Sequence, residues 1–155
     1  MKLRLAVMLA ALWWGSLTGL SFVVVPLLFA NLGSPTAAGA MAAKLFTAQS
    51  WISIACTVLL LMVSARKRLP AHDLIANNAI RLIFFGLLLT VLAEFGVSPR
   101  IVNARATGGD LRLWHGAGSA MYLGQWLCAG FTLWVLSKSS ETFTAKAQRT
   151  QSGAE

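Results

Sequence analysis

Apolar residues fill four long stretches of the chain, at 5–29, 41–64, 77–97 and 113–137, and polar residues gather in the segments between them. Each stretch reaches the roughly 20 residues that a helix needs to cross a hydrocarbon core about 30 Å thick. The pattern predicts an all-α polytopic membrane protein, an antiparallel bundle of four transmembrane helices covering residues 1–138. Residues 139–155 are rich in Ser, Thr, Ala and Gln and poor in apolar side chains, so they are expected to form a disordered tail.

Composition agrees with a lipid environment, since 57% of residues are hydrophobic and 12% are charged. The first stretch follows Met1, Lys2, Leu3 and Arg4 as a secretory signal would, but it runs without a charge well beyond a signal core of about 7–15 residues. A retained helix is therefore expected. Cationic loops stay on the cytoplasmic side of a membrane. Lys2, Arg4, Arg66, Lys67, Arg68, Arg81, Lys138, Lys146 and Arg149 fall on one side of the bundle, and Lys44, Arg100, Arg105 and Arg112 on the other. That imbalance predicts cytoplasmic termini, with the loops at 31–40 and 98–112 outside. The net charge of +8 is then an insertion signal, with anionic lipid headgroups as partners. Nucleic acid is not an expected partner, because the basic residues are scattered and form no continuous patch.

Glu94 is the only acid within the four stretches. With the third helix ending near Val97 and the fourth beginning near Leu113, Glu94 and His115 are expected to share one level close to the outer ends of their helices. A charge inside a span costs about 2.5–3.5 kcal/mol on insertion scales, so it needs a partner, an interfacial place or a function. Two readings follow. Glu94, His115 and the neighbouring cations are anchors that reach to the interface, or they line a polar pocket open to the outside. The pocket set is Glu94, His115, Arg100, Ser119, Tyr122, Gln49, Lys44 and Pro26, with Glu94 and His115 paired across the third and fourth helices.

Small residues let helices approach closely in lipid. Gly15 and Gly19 form a GxxxG, and Gly116, Ala120, Gly124 and Cys128 make a small stripe down the fourth helix, opposite the face of His115, Ser119, Tyr122 and Gln125. The stripe serves either bundle packing or a homodimer seam. Ser34-Pro35 and Ser98-Pro99 hint at a parallel internal repeat.

Metal and haem chemistry is thinly supplied. There are two histidines, and His72 sits beside Asp73 between the second and third stretches, so an intrachain bis-histidine haem lacks a ligand. No metal site or cofactor is expected; His115 with Met121 or Met41 is the weak candidate, as a Cu(I) set. Cys56 and Cys128 read as small buried residues and not as a disulfide. Nucleophilic catalysis lacks its parts, so no enzyme is expected. Trp13, Trp14 and Trp126 lie too far into their stretches to be interfacial residues only.

Two segments resemble the transmembrane protein 205 family, a small four-helix membrane domain found in bacteria. The first is GLSFVVVPLLFANLGSPTAAGAMAAKLF at 19–46, and the second is SPRIVNARATGGDLRLWHGAGSAMYLGQWL at 98–127. Pro26, Phe29, Phe46, Pro99, Arg100, His115 and Gly116 fit that family's pattern, whereas the serine expected three residues after the histidine is Gly118, with Ser119 one later. The resemblance implies a multi-pass protein of the bacterial inner membrane without an established catalytic activity. Its eukaryotic relatives are associated with handling metal-containing compounds. The leading functional expectation is non-enzymatic transport or sensing of a small solute or cation; a copper- or haem-associated redox module and a structural accessory subunit are the alternatives.

Overall fold

The computed structural model describes the backbone of residues 2–65 and 73–152, with side chains from 3–64 and 78–138. Arg66, Lys67, Arg68 and His72 lie outside the described residues, as do the side chains of Lys2, Lys146 and Arg149.

Four helical rods make up the described residues. The first is α1 (Lys2–Gly19), a π-helical segment π1 (Leu20–Val24) and α2 (Val25–Asn31); the second is α3 (Pro35–Ala65). The third is α4 (Asp73–Val91), π2 (Leu92–Val97) and α5 (Ser98–Thr107), and the fourth is α6 (Leu111–Ser152). Residues 32–34 and 108–110 join rods at one end of the bundle, called here the short-turn end. Each turn has local causes. Pro35 opens α3 at a position whose N–H has no helical partner anyway. Gly108 stops α5 in the left-handed conformation at φ 74°, which glycine adopts without a Cβ penalty. Asp110 caps α6, its Oδ1 accepting from the Leu113 N–H at 3.0 Å.

The outer loops expected at 31–40 and 98–112 are thus mostly helix. The third rod does not stop at Pro99 because π2 precedes it. A proline lacks its N–H and crowds the carbonyl four residues back; a π-helical turn shifts the bonding by one residue, and the Ser98 N–H reaches the Ala93 carbonyl. Pro26 is accommodated in the same way, with the Val25 N–H on the Leu20 carbonyl. Phe22, Val24 and Pro26 thereby match Phe95, Val97 and Pro99. The internal echo pairs Pro99 with Pro26, not with Pro35, which starts a helix. The fourth rod continues through Ser152, into the stretch whose composition predicts disorder. From 131 to 152 it contains no Gly or Pro, and its Ala, Lys, Gln, Glu and Arg are good helix formers.

In the half away from the short turns, each rod packs on two neighbours: α1 on α3 and α6, and α4 on α3 and α6. The core there is Ala6, Ala10, Trp13 and Leu17 of α1 with Cys56, Leu60, Ile83, Cys128 and Ala129. Gly86 admits the Trp13 ring, because a Cβ at 86 would sit 2.5 Å from its Cη2. Large apolar side chains such as Met8, Leu12, Trp51, Met62, Phe84 and Phe131 instead face outward, while Ser53, Thr57, Thr90, Gln125 and Thr132 are fully buried. An apolar exterior around a partly polar interior suits lipid and not water. Three helical segments, Leu3–Asn31, Pro35–Ser64 and Asn78–Thr107, are long and apolar enough to cross a membrane. The fourth rod shares their layer by packing on α1 and α4, but its Tyr122, Gln125 and Thr132 lower its hydropathy. Those polar groups face protein and are bonded there.

Candidate functional site

Above π1 and π2 the bundle divides. Helix α2 packs on α3, and α5 packs on α6, so the first and second rods form one half and the third and fourth the other. Between the halves lies a cavity of about 590 Å³ at the short-turn end. Its walls come from all four rods: Ser21, Phe22, Val25 and Phe29; Gly39, Ala42, Ala43 and Phe46; Glu94, Val97, Ser98, Ile101 and Arg105; and His115, Gly118, Ser119, Tyr122 and Trp126. Both π segments contribute directly, π1 through Ser21 and Phe22 and π2 through Ala93, Glu94 and Val97. A widened turn turns side chains out of the regular α register, and here it accompanies the opening of the cleft.

Tyr122 floors the cavity. Its ring lies 4.6 Å from that of Phe46, and its hydroxyl crosses the bundle to the Phe46 carbonyl at 3.1 Å, with Ser50 Oγ also 3.1 Å away. The rings of Phe22 and Trp126 meet at 5.8 Å and close the floor between the first and fourth rods. A polar layer continues beneath. Gln49 Nε2 donates to Ser16 Oγ at 2.9 Å and to Ser53 Oγ at 3.3 Å, and Trp126 Nε1 donates to Thr18 Oγ1 at 2.9 Å. Thr90 Oγ1 lies 2.9 Å from both the Gly86 carbonyl and Gln125 Oε1. The Gln125 amide nitrogen and the Trp13 Nε1 are buried without a hydrogen-bond partner among the described residues.

Glu94 and His115 line the same cavity but occupy different levels. Glu94 lies 13 residues before the end of α5 at Thr107 and His115 only four after the start of α6 at Leu111. At 1.5 Å per residue these are about 20 Å and about 6 Å from the short turns. The expected shared depth assumed that the third rod ends near Val97; its continuation as α5 places Glu94 near the middle of the Asn78–Thr107 segment. The expected Glu94–His115 pair is accordingly not formed. His115 Nε2 instead lies 3.4 Å from Arg105 Nη2. Glu94, partly buried, has no hydrogen bond or ion pair among the described residues.

Arg105 lies outside the expected pocket set, which takes Arg100 as the cation of the 98–112 segment. On α5 it crosses the mouth: a Cβ at Gly39 would come within 3.1 Å of Arg105 Nη2, so the guanidinium rests on the second rod while it faces His115 on the fourth. The signal available in the sequence was the Phe-x-Val-x-Pro shared by 22–26 and 95–99, which marks Pro99 as a counterpart of the intrahelical Pro26.

The other expected residues divide. Ser119 and Tyr122 line the cavity with His115. Gln49 is buried in the layer below, and Lys44, Pro26 and Arg100 are exposed and absent from the lining. Arg100 stacks on Trp114, 4.8 Å from the ring centre. Of the small residues, Gly124 packs closely, since a Cβ there would lie 2.9 Å from Leu89 Cδ1, whereas Gly15, Gly19 and Gly116 face open space and Ala120 is exposed. Met41 and Met121 do not line the cavity, and no three His, Cys, Asp or Glu residues cluster among the described residues.

No curated protein sequence and no solved structure matches the chain. One family model, described as a domain of unknown function (DUF4149), matches residues 8–110. The match takes in the first three rods, both π segments, Glu94 and Arg105, and stops before His115. The chain belongs to this DUF4149 family.

Proposed function

We propose that the protein is a non-enzymatic, multi-pass protein of the bacterial inner membrane that transports or senses a small cationic solute through this cavity, with Glu94 as the binding group. The carrying observation is a single carboxylate near the middle of an apolar rod, lining a cavity and without an ion pair among the described residues. A rod of 30 residues is about 45 Å long, enough to cover the headgroups as well as the hydrocarbon. Glu94 then lies within the hydrocarbon layer, where an acid facing a cavity marks a ligand or ion path more readily than an anchor. Arg105 and His115, close to the short turns, fall at headgroup level.

The cation imbalance supports cytoplasmic termini and a cavity that opens outward. The resemblance to transmembrane protein 205, whose eukaryotic relatives are associated with handling metal-containing compounds, fits a role in moving cationic species. A second copy of the chain has a place at Gly15 and Gly19, which face open space.

The test is labelling with dicyclohexylcarbodiimide, an apolar reagent that attacks carboxyl groups within membranes, followed by peptide mass mapping. One adduct at Glu94, absent in Glu94→Gln, supports the reading. A chain that remains unlabelled at Glu94 overturns it.

A further inference from the structure

We infer that the cavity's ligand is a lipophilic organic cation, an ammonium or phosphonium carrying apolar or aromatic groups, held between Glu94 and a cage of aromatic rings. This rests on the reading of Glu94 as the binding group and names the class of ligand. Below the mouth, Glu94 is the one acidic or basic side chain on the cavity wall among the described residues. The rest is mostly hydrocarbon and ring, with Phe22, Phe46, Tyr122 and Trp126 around the floor and Phe29 higher on the first rod.

Such walls suit some cations and not others. An inorganic ion that sheds its water wants about six oxygen donors, and Glu94 with a few hydroxyls does not supply them. An organic cation carries its own apolar surface, so the hydrocarbon walls solvate it. The ring faces attract its diffuse charge, by about 0.5–1 kcal/mol each at exposed sites and more where water is excluded. The volume of about 590 Å³ falls within the range of roughly 300–1,000 Å³ usual for drug-sized ligands.

The route of access points the same way. Arg105 places a positive charge across the mouth and would oppose a cation entering from water. Phe22 of the first rod and Leu123 of the fourth are apolar, line the cavity and are 60% and 55% exposed. On this proposal the cleft opens sideways between those rods, above the Phe22–Trp126 contact, where α2 and α6 pack little or not at all. A cation that partitions into a membrane enters by this side without passing Arg105. An anionic amphiphile headed by Arg105 and His115 would instead direct its tail toward the Glu94 carboxylate.

The experiment measures binding of tritiated tetraphenylphosphonium to the full chain in dodecylmaltoside, with sodium ion and oleate as alternative probes. Saturable tetraphenylphosphonium binding is expected. Glu94→Gln should weaken it about tenfold or more, as expected for losing one interaction with a charged group, and Glu94→Asp should recover most of it. Phe22→Leu and Phe29→Leu, at exposed positions that leave the core intact, should each cost about two- to fivefold. They keep the test informative if Glu94→Gln fails to fold. Glu94-dependent binding of sodium with none of tetraphenylphosphonium overturns the organic-cation assignment and leaves the reading of Glu94 standing. Oleate binding that requires Arg105, with no binding of either cation, overturns both.

Discussion

Thr90 and Gln125 are both fully buried, and their contact joins the third and fourth rods beneath the cavity floor. Thr90 has one proton for two acceptors, the Gly86 carbonyl and Gln125 Oε1. Either orientation of the Gln125 amide leaves one of its polar ends without a partner among the described residues. Removing the two partners should therefore have unequal effects. Thr90→Val keeps the shape but leaves the amide bonded at neither end; a newly unpaired buried group costs about 1–3 kcal/mol, and interhelical bonds in membranes average about 0.6 with a maximum near 1.7. A loss of about 1–2 kcal/mol is expected. Gln125→Met has similar length and removes the unpaired amide, while Thr90 keeps its bond to Gly86. Its stability should lie within about 0.5 kcal/mol of the parent, or above it. The double variant should then resemble Gln125→Met alone, giving a coupling energy of about 1–2 kcal/mol. Reversible unfolding in mixed dodecyl sulfate micelles, followed by circular dichroism, measures all four. If Gln125→Met proves costlier than Thr90→Val, the amide has a partner and this account of the polar layer fails.

Glycine substitutions should separate contact from exposure. Gly86→Ala and Gly124→Leu, which drive atoms into Trp13 and Leu89, should each cost about 1–3 kcal/mol in the same assay. Gly15→Ala meets nothing, and Leu123→Ala trims an exposed side chain, so both should be near neutral. For topology, thiols placed by Gly33→Cys or Gly109→Cys should react with an impermeant reagent on intact cells; protection of both, with reaction at the C-terminal end, would reverse the proposed orientation.

The hydrophobic pattern located the rods well because span length depends on composition alone. Their ends depended on Pro35 and Pro99, which look alike beside a serine yet do opposite things. One starts a helix, and the other lies inside a helix after a π segment that no residue type announces. That single difference displaces the site: with α5 read as loop, Glu94 falls near the surface, level with His115, and Arg105 is a loop cation. The face of His115, Ser119 and Tyr122 was legible from helical spacing, and all three line the cavity. Gln49 was misplaced because a polar residue near a helix start reads equally as pocket lining or as a tie between helices, and only the position of Ser16 on the first rod decides. At Gly116 and Ala120 the small stripe makes no close contact within the bundle for a related reason, since the halves diverge above π2 and these two positions face open space among the described residues.

The central claim, a carboxylate in mid-rod facing an accessible cavity, is tested most directly by thiol reactivity at position 94. Glu94→Cys, in a chain carrying Cys56→Ala and Cys128→Ala, is treated in intact cells with methyl methanethiosulfonate, a small uncharged reagent that reaches the cavity from water or from lipid. The account predicts that the thiol reacts, and that tetraphenylphosphonium slows the reaction. A thiol at 94 that stays unreactive while one at Gly109 is modified in the same cells would contradict it.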